Sequence, residues 1–177
     1  MLNRANISAA RLLLRPSNAL DAARAFEIQS DWLVTRMLRM ATFPPDSARV
    51  SEWFGDHERQ WLADEAYRFA IVADGRMVGL VDIDAVTATT GVLGYWLEQS
   101  AWGKGFASEA ASAAVRFAFS VAGLSELKAA HAEDNPASGR ILGKLGFTPL
   151  ETVERHSHSR GATIRQKQYR LARSPNV

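Results

Sequence analysis

Trp102-Gly103-Lys104-Gly105-Phe106-Ala107-Ser108, in the middle of the chain, has the residue types needed to hold an anion. Glycines let a backbone turn tightly and approach a ligand closely. A helix starting at the end of such a loop adds unpaired N–H groups and the positive end of its dipole. The alanine-rich run from Ala107 to Val121 predicts that helix. Two phosphate motifs are excluded here. A Walker A loop needs Ser or Thr after its lysine, but Lys104 precedes Gly105 and Lys144 precedes Leu145. A dinucleotide fingerprint needs a third glycine where Ser108 stands. Glu126 lies where a ribose-binding acid would fall, but Glu98 to Trp102 separate the predicted strand from the first glycine. Two readings stay open: the pyrophosphate loop of an acyl-CoA enzyme, or a glycine turn that merely starts a helix.

Other polar residues say less. Asn135 is placed to cap a helix beginning at Pro136, and Ser138 falls at the capping-box position without being Glu or Gln. Asp82 and Asp84 alternate onto one face of an apolar strand, and His131, Glu133 and Asp134 lie near another strand's end. A polar strand end explains each better than a general base. His156 and His158 have no third ligand nearby, so the expectation is a solvated loop and no metal. Six of the eight charged residues from Glu151 onward are basic, which reads as a solvated edge strand.

These residues belong to a chain of 177, a length that favours one domain over 1–177. Its 21 basic and 19 acidic residues nearly cancel, so no nucleic-acid footprint is present. The absence of cysteine excludes disulfides, thiolate nucleophiles and Cys-based metal sites. No apolar run is long enough to span a membrane, and Met1 to Ala10 lacks a signal peptide's apolar core. The expected location is cytoplasmic.

The patterning predicts which elements carry the loop. Arg11 to Arg15 reads as a strand stopped by Pro16, followed by a helix capped by Ser17 or Asn18 and running to Gln29. Asp31 to Met40 reads as a short helix. A longer one, capped by Asp46 or Ser47, has Val50, Trp53, Phe54, His57, Trp61 and Leu62 at helical spacing. Tyr67–Ala73 and Arg76–Asp84 form a hairpin about Asp74-Gly75. Gly91–Leu97 and Leu127–His131 are strands, and Pro136 to Gly146 is a helix. Pro149–Glu154 and Ile164–Leu171 are the last strands, and the tail from Ser174 is expected to fray.

Four motifs in order then carry a resemblance: Gly94-Tyr95-Trp96-Leu97; Trp102 to Ala110, reading W-G-K-G-F-A-S-E-A; Asn135-Pro136-Ala137-Ser138; and Lys144-Leu145-Gly146-Phe147. Arg11 to Pro16, reading R-L-L-L-R-P, looks like the usual opening strand. The set resembles the GNAT superfamily of N-acetyltransferases, and most closely its RimJ/RimL branch, which acetylates the α-amines of ribosomal proteins and other amines. The resemblance implies an α/β (α+β) GNAT fold. Its mixed, mostly antiparallel central sheet would have six or seven strands, with helices on both faces. It implies acetyl-CoA as co-substrate, and a primary amine as acceptor, either a protein N-terminus or a small molecule such as a polyamine, amino acid or aminoglycoside. The amine would attack directly, with no covalent enzyme intermediate, metal, nucleic acid or membrane, in a monomer or homodimer. A non-catalytic acyl-CoA-binding module is the alternative.

Residue by residue, the resemblance assigns the pyrophosphate to the loop of Trp102, Gly103, Lys104, Gly105, Phe106, Ala107 and Ser108, where the Lys104 side chain also reads as a solvated lysine. It turns the backbone of Trp96 and Leu97 to the pantetheine and acetyl group, with a bulge at Gly94 freeing main-chain groups. The side chains of Tyr95 and Trp96 read as core. Asn135 would bond the pantetheine arm, and Ser138 would stand near the departing sulfur as the catalytic candidate. The chain departs from the family in having Trp102 where Gln or Arg often begins the loop, and Leu142 where many members carry a tyrosine acid. The region Asp31 to Glu65, with Trp32, Trp53 and Trp61 as core or groove walls, would face the acceptor.

Overall fold

The computed structural model describes residues 4–174. The tail expected to fray from Ser174 therefore lies almost wholly outside the described residues. Eight strands form one sheet: β1 (Ile7–Ser8), β2 (Leu13–Pro16), β3 (Tyr67–Ala73), β4 (Arg76–Asp84), β5 (Thr90–Leu97), β6 (Glu126–Ala132), β7 (Thr148–Ser157) and β8 (Ala162–Ala172). Their order is β1-β2-β3-β4-β5-β6-β8-β7, one or two strands more than expected. Short β1 pairs with β2 through Ile7↔Leu14 and Ser8↔Leu13 and is too brief to show periodicity.

The helices are α1 (Ala22–Gln29), α2 (Trp32–Thr35), α3 (Ser47–Leu62), α4 (Phe106–Ser120) and α5 (Pro136–Lys144). Asp46 accepts from the N–H groups of Ala48 and Arg49 and so starts α3. Asn18 and Asp21 form a capping box on one 3-10 turn before α1. Ser17, the other capping candidate, is instead buried and bonded to His57 Nδ1 at 2.7 Å. Helix α2 is far shorter than the Asp31–Met40 expectation.

The β3–β4 hairpin turns through Asp74 and Gly75, with φ of 49° and 76°, the paired positive angles that a two-residue turn of this hand requires. Its strands are buried on both faces. Tyr67, Phe69 and Ile71 face Trp61 and Phe117, while Ala70 and Leu80 face Ala25, Val50, Phe54 and Trp96. Five buried alanines (Ala110, Ala111, Ala113, Ala114 and Ala118) bring α4 down onto the sheet. Phe117 fills the remaining space, with its ring 5.1 Å from that of Phe69.

Strands β5 and β6 are parallel neighbours, and here the sheet comes apart. They pair from Thr90↔Glu126 to Leu93↔Ala129 and no further. On its other edge β5 stays paired with β4 as far as Leu97, and β6 stays paired with β8 as far as Ala132. The second half of β5 therefore has one unpaired edge facing a gap.

Candidate active site

The gap is a cavity of about 590 Å³, walled by β5, the glycine loop, the start of α4, the end of β6 and α5. The loop enters it through two left-handed glycines, Gly103 with φ of 73° and Gly105 with φ of 80°. Gly105 is the N-cap of α4, and no side chain caps the helix. The N–H groups of the first turn therefore point at the cavity mouth without an intrahelical partner. Gly103, Gly105, Phe106, Ala107, Ser108 and Trp102 all lie on its wall. Lys104 does not, and its carbonyl instead accepts from Arg11 Nη1 at 2.8 Å.

Arg11 is a participant that the sequence reading used only as the start of a strand. Its backbone N–H donates to Glu109 Oε1 at 2.6 Å and its Nε to Oε2 at 2.9 Å. Its guanidinium lies 5.0 Å over the Phe106 ring. One side chain thus ties the loop and the first turn of α4 to the β1–β2 turn. Residues 98 positions apart make this contact, and no local spacing announces it.

The β4–β5 register runs unbroken through Asp82↔Gly94, so Gly94 carries no bulge. The irregularity in this part of the sheet falls between Ile71 and Val72. Gly94 is required for another reason: a Cβ there would collide with Asp82 Oδ1. Main-chain groups are freed by the departure of β6. Glu98 N–H donates to Val78 on β4, and by strand alternation Trp96 turns the same way. A Cβ on Gly79 would accordingly strike the Trp96 carbonyl. Tyr95 and Leu97 present their main chain to the open side, where the Leu97 carbonyl accepts from Trp102 Nε1 at 3.0 Å. The Trp96 main chain thus faces β4 and not the side expected to meet the pantetheine, while the residue belongs to the core cluster and also lines the cavity.

Tyr95 departs from the expectation of simple core packing. It lines the cavity, and its Oη lies 2.7 Å from Ser138 Oγ. Burial pushes its phenol up to about 12, against the hydrogen bond it shares with Ser138. Ser138 is held by α5, whose N-cap Asn135 accepts from the Ser138 N–H at 3.3 Å. That bond uses the Asn135 carbonyl oxygen, leaving its NH₂ as a donor. Gly139 lets α5 approach this closely, because a Cβ there would lie 2.8 Å from His131 Nε2. His131 donates from Nδ1 to the Ala132 carbonyl at 2.7 Å, and its Nε2 meets Tyr169 Oη at 3.1 Å. Leu142 is 1% exposed.

The acidic residues weighed as bases stand elsewhere. Asp134 is paired with Arg36 and Arg160 at 2.9 Å, and this pairing lowers its carboxyl. Glu133 meets Arg165 at 3.3 Å. Asp82 and Asp84 lie on the sheet face opposite Tyr95, beside Arg68. Burial, then the Asp84 charge, holds the Asp82 carboxyl far above the ordinary carboxylate range. No carboxylate lies on the cavity wall. The rings of His156 and His158 meet edge to face at 5.2 Å, and among the described residues no group of three possible metal ligands occurs. No described helix is long and apolar enough to cross a membrane.

Comparison with known proteins agrees with this geometry. The acetyltransferase (GNAT) domain family matches residues 11–148. An uncharacterized N-acetyltransferase, p20 of Bacillus licheniformis, is 26% identical over 158 residues, covering 87% of this chain and 88% of its own. The ribosomal L7/L12 alpha-N-protein acetyltransferase RimL, solved with coenzyme A, superposes with a TM-score of 0.85 at 17% identity, over 95% of this chain and 98% of its own. The microcin C7 self-immunity acetyltransferase MccE, solved with acetyl-CoA and AMP, does so at 0.78 and 17%, over 93% of each chain. The chain belongs to the GNAT acetyltransferase family and is an N-acetyltransferase.

Proposed function

We propose that this enzyme takes acetyl-CoA as co-substrate and transfers its acetyl group to an α-amine, the N-terminus of a protein or peptide, within one domain spanning 1–177. The observation that carries the reading is the cavity itself. An uncapped helix N-terminus and an unpaired strand edge open onto the same space. Those are the two sets of neutral donors that a diphosphate and a thioester need.

The N–H groups from Gly103 to Ser108 would hold the pyrophosphate. The free edge of β5 at Tyr95 and Leu97 would run along the pantetheine arm and polarise the acetyl carbonyl. Donors placed at a developing oxyanion are worth about 3–4 kcal/mol. Asn135 would hold the arm through its free NH₂, and Ser138 would stand at the sulfur. The thioester is already activated, so the amine adds to the carbonyl carbon, the C–S bond breaks and its electron pair leaves on sulfur.

The wall without carboxylates supports the acceptor class. An α-amine has a pKa of about 7.7–8.0, so roughly a tenth is neutral at pH 7, whereas a lysine near 10.4 has well under a thousandth. An α-amine therefore reacts without a strong base. The test is thiol release from acetyl-CoA over a panel of peptide N-termini, polyamines and aminoglycosides. Turnover should concentrate on peptides. Turnover on polyamines or aminoglycosides alone would move the acceptor to small molecules, and acetyl-CoA binding without turnover would favour a non-catalytic module.

A further inference from the structure

Tyr95 and Ser138 come from different elements, β5 and α5, and their hydroxyls meet at 2.7 Å on the cavity wall. The Tyr95 Oη also lies 3.4 Å from the Ser138 carbonyl oxygen. Between the two hydroxyls either can donate, and the 2.7 Å contact to Oγ is much the shorter of the two open to the Tyr95 proton. With Tyr95 as the donor to Oγ, the serine keeps its own proton for a ligand in the cavity it lines. Tyr95 keeps its proton at any working pH, because burial holds its phenol at about 12.

Resting on the acetyl-transfer reading above, we propose that Tyr95 is a positioning residue for Ser138: it donates to Ser138 Oγ and thereby aims the serine O–H at the sulfur of coenzyme A. As the C–S bond breaks, the electron pair leaves on sulfur and Ser138 donates a hydrogen bond to the new thiolate. No proton leaves the serine. The proton shed by the acylated nitrogen goes to solvent and balances the one the thiolate takes up when it leaves. A thiol of pKa about 8.5 departs readily as an anion near neutral pH, so stabilising it is enough. Hydrogen bonds arranged in sequence strengthen one another, which gives the tyrosine its effect through the serine.

The test compares wild type, Tyr95→Phe, Ser138→Ala and the double variant, with any acceptor that supports turnover. Each single change should lower kcat by roughly tenfold, the size of one hydrogen bond to a charged group. The KM for acetyl-CoA should stay within about twofold, because neither hydroxyl carries ground-state binding. The double variant should be no slower than Ser138→Ala alone. An acceptor-free reading comes from the ultraviolet titration of the bound CoA thiol, which should ionise at lower pH in wild type than in either variant. Where Tyr95→Phe is unstable, Tyr95→Met serves. Multiplicative losses, an unchanged kcat in Tyr95→Phe, or a loss confined to KM would overturn the proposal. A wild type that neither binds acetyl-CoA nor releases thiol would overturn the acetyl-transfer reading itself.

Discussion

Strands β4 and β5 meet opposite electrostatic problems on their two sides. On the cavity side the polar groups along β5 and at the start of α4 are peptide N–H groups and hydroxyls, all neutral, and the cations on the wall, Arg140 and Lys144, are exposed residues of α5. On the α1–α3 side, Arg68 pairs with Asp84 at 2.5 Å, bonds Gln60 and sits 5.1 Å over the Trp53 ring, with Asp82 and His57 beside it. Neutral dipoles can bind an anion and let it go, since they carry no buried charge when the site empties. Charges packed in a core need partners permanently. The cavity side is built for exchange, and the ionic side is built to stay closed.

The sharpest way to break that contrast is to remove Arg68. Its side chain is only 7% exposed, and its loss leaves two neighbouring acids without their cation. Arg68→Ala should cost about 3 kcal/mol of unfolding free energy, the lower end for breaking a buried pair because Asp84 is partly solvated. Urea titration measures it. Acetyl-CoA affinity at a temperature where the variant is folded should be unchanged, and a matching loss there would show that the two sides are coupled.

The converse change is Gly105→Val. It puts a branched side chain at φ of 80° and a Cβ 3.2 Å from Arg11 Nη2. Backbone strain of about 1–3 kcal/mol would turn the N-terminal N–H groups away, so acetyl-CoA affinity should fall about 100-fold by calorimetry. The loop is exposed, so the melting temperature should move little. Unchanged affinity would remove the loop from the site.

The two sides were also unequally legible in the sequence. The glycine loop, the Asn135 cap and the β3–β4 turn depend on short-range chemistry, on positive φ or on a cap at fixed spacing. They appear where residues Asp74-Gly75, Gly103 to Gly105 and Asn135-Pro136 put them. The gap between β5 and β6 has no local signature, since it depends on where two ladders stop. Gly94 invited a bulge, yet its freedom from a side chain serves Asp82. The Tyr95–Ser138, Arg11–Glu109 and Ser17–His57 contacts join residues separated by 43, 98 and 40 positions. Only the folded sheet brings such pairs together.

A pH series sharpens the ionic side. Folding raises the Asp82 carboxyl, so the native state keeps a proton that the unfolded chain has already lost. Stability is then full below the ordinary carboxylate pKa of about 3.9 and declines as pH rises towards the raised native value. Asp82→Asn removes that decline, so its melting temperature should gain on wild type between about pH 5 and pH 8. His57 works the other way: burial, then Arg68, lowers it to about 3 from 6.5. Its contribution is full above 6.5 and is lost as pH falls towards 3. Wild-type stability should therefore be greatest at mildly acidic pH, and a stability rising steadily to pH 8 would contradict the Asp82 assignment.

The smallest effect tests whether the loop's shape or its charge binds the ligand. Arg11 is about half exposed, and its guanidinium is engaged by Glu109, the Lys104 carbonyl and the Phe106 ring. If it acts by bracing the loop, Arg11→Ala should raise the KM for acetyl-CoA about three- to fivefold, leaving kcat unchanged, because only uniform binding is lost. Glu109→Gln should give part of that loss, although it removes a negative charge from the mouth of a site proposed for an anion. Lys104→Ala should change KM by less than about twofold, a surface charge being largely screened. A Glu109→Gln variant that binds acetyl-CoA more tightly, or a large loss in Lys104→Ala, would reverse the order: charge at the mouth, and not the shape fixed by Arg11, would govern the cavity side.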